Sequence, residues 1–379
     1  MASVSIKNVW KYYGETAAVK DLNLEVQNGE FLCVLGPSGC GKSSSLRMLA
    51  GLEHISAGDI HFGDRRVNDL PPKDRDIAMV FENYALYPHK TVSDNIGNAL
   101  KLRKVDPTTI QQKVERAAEM LEIKHLLQRK PMELSGGQKQ RVAIGRAIVR
   151  EPELFLFDEP IAHLDAKLRA HMRGELKILQ RKLGTTMVYV THDQMEALSM
   201  ADRVAVMHEG VLQQYGTPQE IYHKPVNAWV AGFVGEPPMN FLECELVQEG
   251  DAIQVKHSTF SVSLLPEQAS IINSMKIERK VQLAIRPDEI HINGKQSTEP
   301  IKAEVKITEP LGGDMLVDTT VGKEKVLVKT KPDFTASMGQ ECYLSFDKQR
   351  WHVFSSETGL AFFKGQLSIK PRDCGITTP

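Results

Sequence analysis

From residue 1 to about 235, short apolar runs alternate with stretches whose apolar residues recur at helical spacing, the texture of an α/β layer structure. Residues 30–35 predict a compact apolar strand, Gly36 to Gly41 a glycine-rich loop, and the run through Leu46 and Leu49 a helix. Strand, loop and helix thus follow in that order. Ile110, Val114, Ala117, Ala118 and Leu121 recur on one face of an amphipathic helix over 108–121. A second helix follows Ser135-Gly136-Gly137 and runs to about Arg150, where Pro152 stops it and introduces a strand at 154–157. Residues 186–190 predict another buried strand leading into Thr191-His192-Asp193, and 203–215 a hairpin turning at Glu209-Gly210. The texture changes at Gly235-Glu236-Pro237-Pro238, which sets the expected domains as 1–235, with a helical subdomain over about 84–150, and 236–379. Beyond Phe241, short alternating strands such as 281–285, 325–328 and 342–346 predict a small all-β, barrel-like domain.

Composition narrows the class of function. Lys+Arg 47 nearly cancels Asp+Glu 48, which gives no electrostatic case for nucleic acid. No stretch reaches the roughly 18 apolar residues that a spanning helix needs, and residues 1–13 alternate around Lys7 and Lys11 instead of forming the apolar core of a secretory signal. The expected compartment is the cytosol. Cys33, Cys40, Cys244, Cys342 and Cys374 form no CxxC pair, so reduced thiols are expected rather than zinc or disulfides. Cys40 stands out because backbone amides of a phosphate loop would favour its thiolate, although a filler role at an unconstrained position is the plainer reading.

The chemistry begins with Gly36-Pro37-Ser38-Gly39-Cys40-Gly41-Lys42-Ser43, which matches GxxxxGK[ST] between a strand and a helix. Glycines let backbone N–H groups converge on phosphate oxygens, Lys42 bridges β and γ phosphates, and the Ser43 hydroxyl can ligate Mg²⁺. A nucleoside triphosphate is the implied ligand. The apolar strand ahead of Asp158-Glu159 delivers two acids to the C-terminal edge of a parallel sheet, Asp158 to hold Mg²⁺ and Glu159 to act as general base. Leu134-Ser135-Gly136-Gly137-Gln138 is a second anion cradle at a helix start. One phosphate loop and one extra cradle per chain can both be satisfied by two copies pairing head to tail.

Leu134 to Gln138 resembles the ABC signature motif, and residues 1–235 resemble an ABC nucleotide-binding domain throughout. That resemblance implies an ABC ATPase fold binding ATP and Mg²⁺, with the nucleotide contacts extending through Ser44. It makes His192 the switch histidine at the γ-phosphate and a catalytic partner of Glu159 and Lys42, and Asp165 the acid that lies across the dimer interface. It makes Tyr13 the residue that stacks on adenine, with Tyr12 a rival for the role. The chain departs from the pattern at Glu82, where a glutamine is expected near the metal, and at Ala162-His163, where small or amide side chains are commoner. Glu82 could still join Ser43 and Asp158 at Mg²⁺, with mutual repulsion when the metal is absent.

Gly235 to Phe241, Ile285-Arg286-Pro287-Asp288-Glu289 and Leu344-Ser345-Phe346-Asp347 resemble the OB-like regulatory β-domain of carbohydrate importers of the maltose ATPase type. The resemblance implies a homodimeric motor at the cytoplasmic face of the plasma membrane. Its partners would be two permease subunits, docking near Glu82 to Pro88, and indirectly an extracytoplasmic solute-binding protein. A passive dimerisation role for the β-domain, cargo such as an inorganic ion or phosphonate, and a soluble regulator that does not transport all stay open.

Overall fold

The computed structural model describes residues 2–250, 252–273, 279–293 and 300–363, and Cys374 lies outside them. The chain divides into two compact units, Met1–Pro218 and Gln219–Pro379. The division falls ahead of the compositional break at 235, because the two short helices between them belong with the second unit. Ala231 is buried with Met239, Ala284 and Phe354, and the Arg286 guanidinium donates to the carbonyls of Tyr222 and Val234 at 2.5 and 2.7 Å.

The first unit starts with strands β1 (Val4–Tyr13), β2 (Thr16–Val26) and β3 (Phe31–Leu35), followed by helix α1 (Lys42–Ala50). Then come β4 (Ala57–Phe62), β5 (Arg65–Arg66) and β6 (Ile77–Val80), and the helices α2 (Val92–Leu102), α3 (Pro107–Met120) and α4 (Gly136–Ile148). It closes with β7 (Leu154–Asp158), α5 (Ala166–Leu183), β8 (Thr186–Thr191), α6 (Gln194–Met200), β9 (Arg203–His208) and β10 (Val211–Gly216). A six-stranded sheet runs in the order β10-β9-β3-β8-β7-β6, and a four-stranded antiparallel sheet in the order β2-β1-β4-β5. Strands β3, β7 and β8 are buried along their whole length. Such strands read as continuous apolar runs, because a parallel sheet is covered on both faces.

Helices α2, α3 and α4 pack on one another, and their ends are chemically marked. Thr91 caps α2, Asp106 caps α3 and is followed by Pro107, and Ser135 caps α4. Glu209 and Gly210, both at positive φ, turn the β9–β10 hairpin.

In the second unit come α7 (Pro218–His223), α8 (Ala228–Phe233), β11 (Asn240–Glu249), β12 (Ala252–Lys256), β13 (Ser261–Ser263), α9 (Pro266–Asn273) and β14 (Lys280–Ile285). They are followed by β15 (Ile290–Asn293), β16 (Ile301–Pro310), β17 (Met315–Val321), β18 (Glu324–Thr330), β19 (Glu341–Phe346), β20 (His352–Ser355) and β21 (Ala361–Phe363). The strands form two sheets, β13-β12-β11-β14-β20-β21 and β15-β19-β16-β17-β18. Leu242 and Leu283 from the first sheet and Val317 and Leu344 from the second share one apolar core around the fully buried Trp351.

Candidate nucleotide site

Register places the site on one level of the parallel sheet. Val34 of β3 lies opposite Val190 of β8, which in turn lies opposite Asp158 of β7. Gly36, Glu159 and His192 therefore leave the sheet at the same edge, the carboxyl ends where open α/β sheets bind ligands.

The phosphate loop is shaped from behind. Gly41 has φ 103, and a Cβ there would stand 2.5 Å from the Ala18 carbonyl oxygen. A Cβ on Gly36 would overlap the Met207 carbonyl oxygen at the end of β9. The Gly210 amide in the hairpin turn donates to the Cys40 carbonyl at 3.1 Å. Ser38 and Gly39 are exposed, Pro37 is half-buried, and Ser43 and Ser44 open the first turn of α1. Lys42 is buried, and its ammonium donates to the carbonyls of Gly36 and Pro37 at 2.9 and 3.0 Å. A phosphate oxygen is the charged acceptor that competes with those two carbonyls.

Cys40 is not the reactive thiolate that the loop amides alone would favour. It is 2% exposed, and burial raises its thiol above the ordinary 9.0 against the opposing pull of Lys42 and the loop amides. Desolvation outweighs the local positive potential, so the thiol is favoured. The other described cysteines, Cys33, Cys244 and Cys342, are also free thiols.

The Ser43 hydroxyl donates to Asp158 Oδ1 at 3.0 Å. Burial raises the Asp158 carboxyl, the Ser43 hydrogen bond lowers it, and the neighbouring Glu159 and Glu82 charges raise it further. Among the described residues no group of three or more His, Cys, Asp or Glu could hold a metal alone. A hydroxyl beside one carboxylate fits Mg²⁺, which takes one or two protein oxygens and completes its octahedron with phosphate and water. Glu82 is exposed, and its carboxylate lies 3.3 Å from His163 Nε2, so the two departures from the family pattern touch each other.

Glu159 adopts the left-handed backbone at φ 44, while its amide donates to the Val190 carbonyl at 3.0 Å. A non-glycine residue in that region costs about 1 kcal/mol or more and is typically held so by its surroundings. Its Oε2 is 2.8 Å from His192 Nδ1. Glu196, 2% exposed, accepts from the Tyr189 and Thr191 hydroxyls of β8 at 2.9 and 2.6 Å. Burial raises its carboxyl above the ordinary 4.5. Nothing in the sequence singled out Glu196; its only signal was an acid three residues after the helix cap Asp193, which reads as surface.

The two aromatic rivals lie in different settings. Tyr12 stacks on Trp10 with ring centroids 5.9 Å apart, whereas the Tyr13 hydroxyl is 3.4 Å from Ser44 Oγ. The remaining cradle stands apart. Ser135 and Gln138 bond each other's backbone amides in a capping box at the start of α4, and a Cβ on Gly137 would meet Leu168 Cδ2 at 2.8 Å while Gly136 faces Leu164. No hydrogen bond or ion pair among the described residues joins 135–138 to the phosphate loop. Asp165, exposed, caps α5 by accepting from the Leu168 amide at 2.9 Å.

A cavity of about 240 Å³ adjoins the loop that carries Glu82, lined among others by Phe81, Tyr84, Tyr87, Asn98, Arg146 and Arg150. Arg146 lies 4.9 Å over the Tyr87 ring and donates to the Ala85 carbonyl.

A glycine loop closed on a buried lysine, facing an acid pair on the sheet edge, makes this a phosphate-loop ATPase. Residues 19–162 match the ABC transporter family and residues 283–354 the TOBE domain. The trehalose/maltose import ATP-binding protein of Thermococcus litoralis is 49% identical, over 96% of this chain and 100% of its own. The sulfoquinovosyl glycerol transport ATP-binding protein of Agrobacterium fabrum is 45% identical, over 94% and 99%. A solved ATP-binding cassette, dimeric in a post-hydrolysis state with ADP and Pi, is 32% identical at a TM-score of 0.51, covering 57% of this chain and 98% of that one. The chain belongs to the ATP-binding proteins of ABC transporters.

Proposed function

We propose that this ATPase drives import of a carbohydrate, polyol or sugar or glycerol phosphate, working as a homodimer beneath two permease subunits at the cytoplasmic face of the plasma membrane. The cargo class rests on the two relatives, named for trehalose/maltose and sulfoquinovosyl glycerol transport. An extracytoplasmic solute-binding protein would deliver the cargo. The cavity beside Tyr87 and Arg146 suits a short helix from a permease.

When bound, Mg·ATP supplies the transferable γ-phosphoryl group and the metal's neutralising charge. Lys42, the loop amides of 36–43 and Ser44 would bind the phosphates; Ser43 and Asp158, with Glu82 nearby, would hold the metal. Glu159 takes the proton of the attacking water, and His192 orients the Glu159 carboxylate. Ser135, Gly136, Gly137 and Gln138 of the partner copy close the site, with Asp165 at the seam. The observation that carries this reading is the Ser43–Asp158 contact at 3.0 Å with the Glu159–His192 pair at 2.8 Å beside it.

Lys42→Ala should abolish both turnover and nucleotide binding. Glu159→Gln should lower turnover by about 10²-fold or more while retaining ATP in a dimer measurable by light scattering. A Glu159→Gln chain that stays monomeric with Mg·ATP and its permeases present would sink the two-copy site. Co-purification with two membrane proteins tests the importer assignment.

A further inference from the structure

Lys11 is a cation where a strand position would ordinarily be apolar. Its side chain is only 10% exposed, and its ammonium donates to Glu53 Oε2 and to the His54 carbonyl, each at 2.8 Å. Those acceptors follow the C-terminal end of α1, the helix that starts at the phosphate loop. The same ammonium sits 4.7 Å from the centroid of the Tyr13 ring. The hydrogen bond from Lys11 also holds the Glu53 carboxyl below its ordinary range. Tyr13 is thus gripped at two points, its ring against the anchored ammonium and its hydroxyl 3.4 Å from Ser44 on the first turn of α1. Tyr13 as a whole nonetheless remains 44% exposed.

We propose that Lys11 is a positioning residue for the nucleotide base: clamped by Glu53 and the His54 carbonyl, it braces one face of Tyr13 and leaves the other set as a stacking platform for the purine. The proposal rests on Tyr13 being the base platform. Two physical terms favour it. A cation fixed on one face of an aromatic ring is attracted by the ring's quadrupole, which holds the ring plane. A platform already held in place loses less side-chain freedom when a base arrives. The anchor at the far end of α1 further ties base position to phosphate position through one rigid helix.

The test compares a ligand that has a base with one that lacks it. Affinities for ATP and for inorganic tripolyphosphate are measured in the full chain by competition against a fluorescent ATP analogue. Lys11→Met should weaken ATP by about three- to tenfold and leave tripolyphosphate unchanged. Lys11→Arg should restore most of the loss, and Lys11→Met should add nothing in a Tyr13→Ala background. Equal weakening of both ligands, or an unchanged ATP affinity in Lys11→Met where Tyr13→Ala does weaken it, overturns the role of Lys11 alone. An ATP affinity indifferent to Tyr13→Ala overturns the platform itself and the proposal with it. Should Lys11→Met melt early, Glu53→Ala keeps the lysine but releases it, and must reproduce a smaller, ATP-selective loss.

Discussion

Single side chains in this protein are asked to do more than their residue types advertise. Glu82 faces His163 at 3.3 Å and adds its charge to the repulsion that raises Asp158. Glu82→Gln removes a negative charge that attracts the cation and should therefore raise the Mg²⁺ concentration needed for half-maximal ATPase activity, and an unchanged Mg²⁺ titration would remove that electrostatic role. Gly41→Ala puts a Cβ 2.5 Å from a backbone oxygen at a φ of 103. The expected result is loss of nucleotide binding together with destabilisation of about 2 kcal/mol or more, seen in a denaturant titration. The phosphate loop, the acid pair and His192 were legible in the sequence, because phosphate chemistry restricts residue types at fixed spacing. The choice between Tyr12 and Tyr13 was not, because alternation in a strand says that neighbours face opposite sides but not which side is the site. Lys11 and Glu196 were hidden for a related reason. A charged residue reads as solvent-facing until the structure supplies the partners that bury it.

Elements were legible where both faces are covered and blurred where one is wet. The strands β3, β7 and β8 announce themselves as apolar runs, and α3 as a periodic stripe. Residues 1–13 showed alternation, but the antiparallel sheet of β1, β2, β4 and β5 was not assigned, because its pairing runs through register shifts that no sequence pattern displays. Helix α9 escaped as well, being short and placed among strands. At this scale the helix ends carry the predictions. Arg75, 3% exposed, donates to the carbonyls of Met48 and Leu49 in the last turn of α1 at 2.7 and 3.0 Å. Arg75→Met should cost about 2–4 kcal/mol, since buried carbonyls lose a charged donor. Ser135→Ala removes the hydroxyl cap of α4 and should cost only about 1 kcal/mol of stability. A collapse of ATPase activity far beyond that small stability loss would mark Ser135 as a contact to nucleotide and not merely a cap.

Across the whole molecule, the two units are expected to respond to different conditions, the first to nucleotide and the second to pH through Glu289. Burial, aided by the Asp288 charge and opposed by Arg350 and Arg286, pushes the Glu289 carboxyl from 4.5 up to about 7. A carboxyl raised in the folded state keeps its proton longer than the unfolded chain does, so this contribution is full below pH 4.5 and is lost as pH rises through 7. With its side chain 16% exposed, Glu289 should withdraw about 3 kcal/mol from the second unit on that rise. Glu289→Gln should flatten the dependence of calorimetric melting on pH, and a parallel shift of both proteins would contradict it. The first unit carries a different long-range dependence. The curve of the phosphate loop is set by the Met207 carbonyl and by the Gly210 amide, which belong to a hairpin remote in sequence. The octapeptide at 36–43 is therefore not a portable part: grafted onto another strand–helix junction without that backing, it would keep its glycines and lose its curvature.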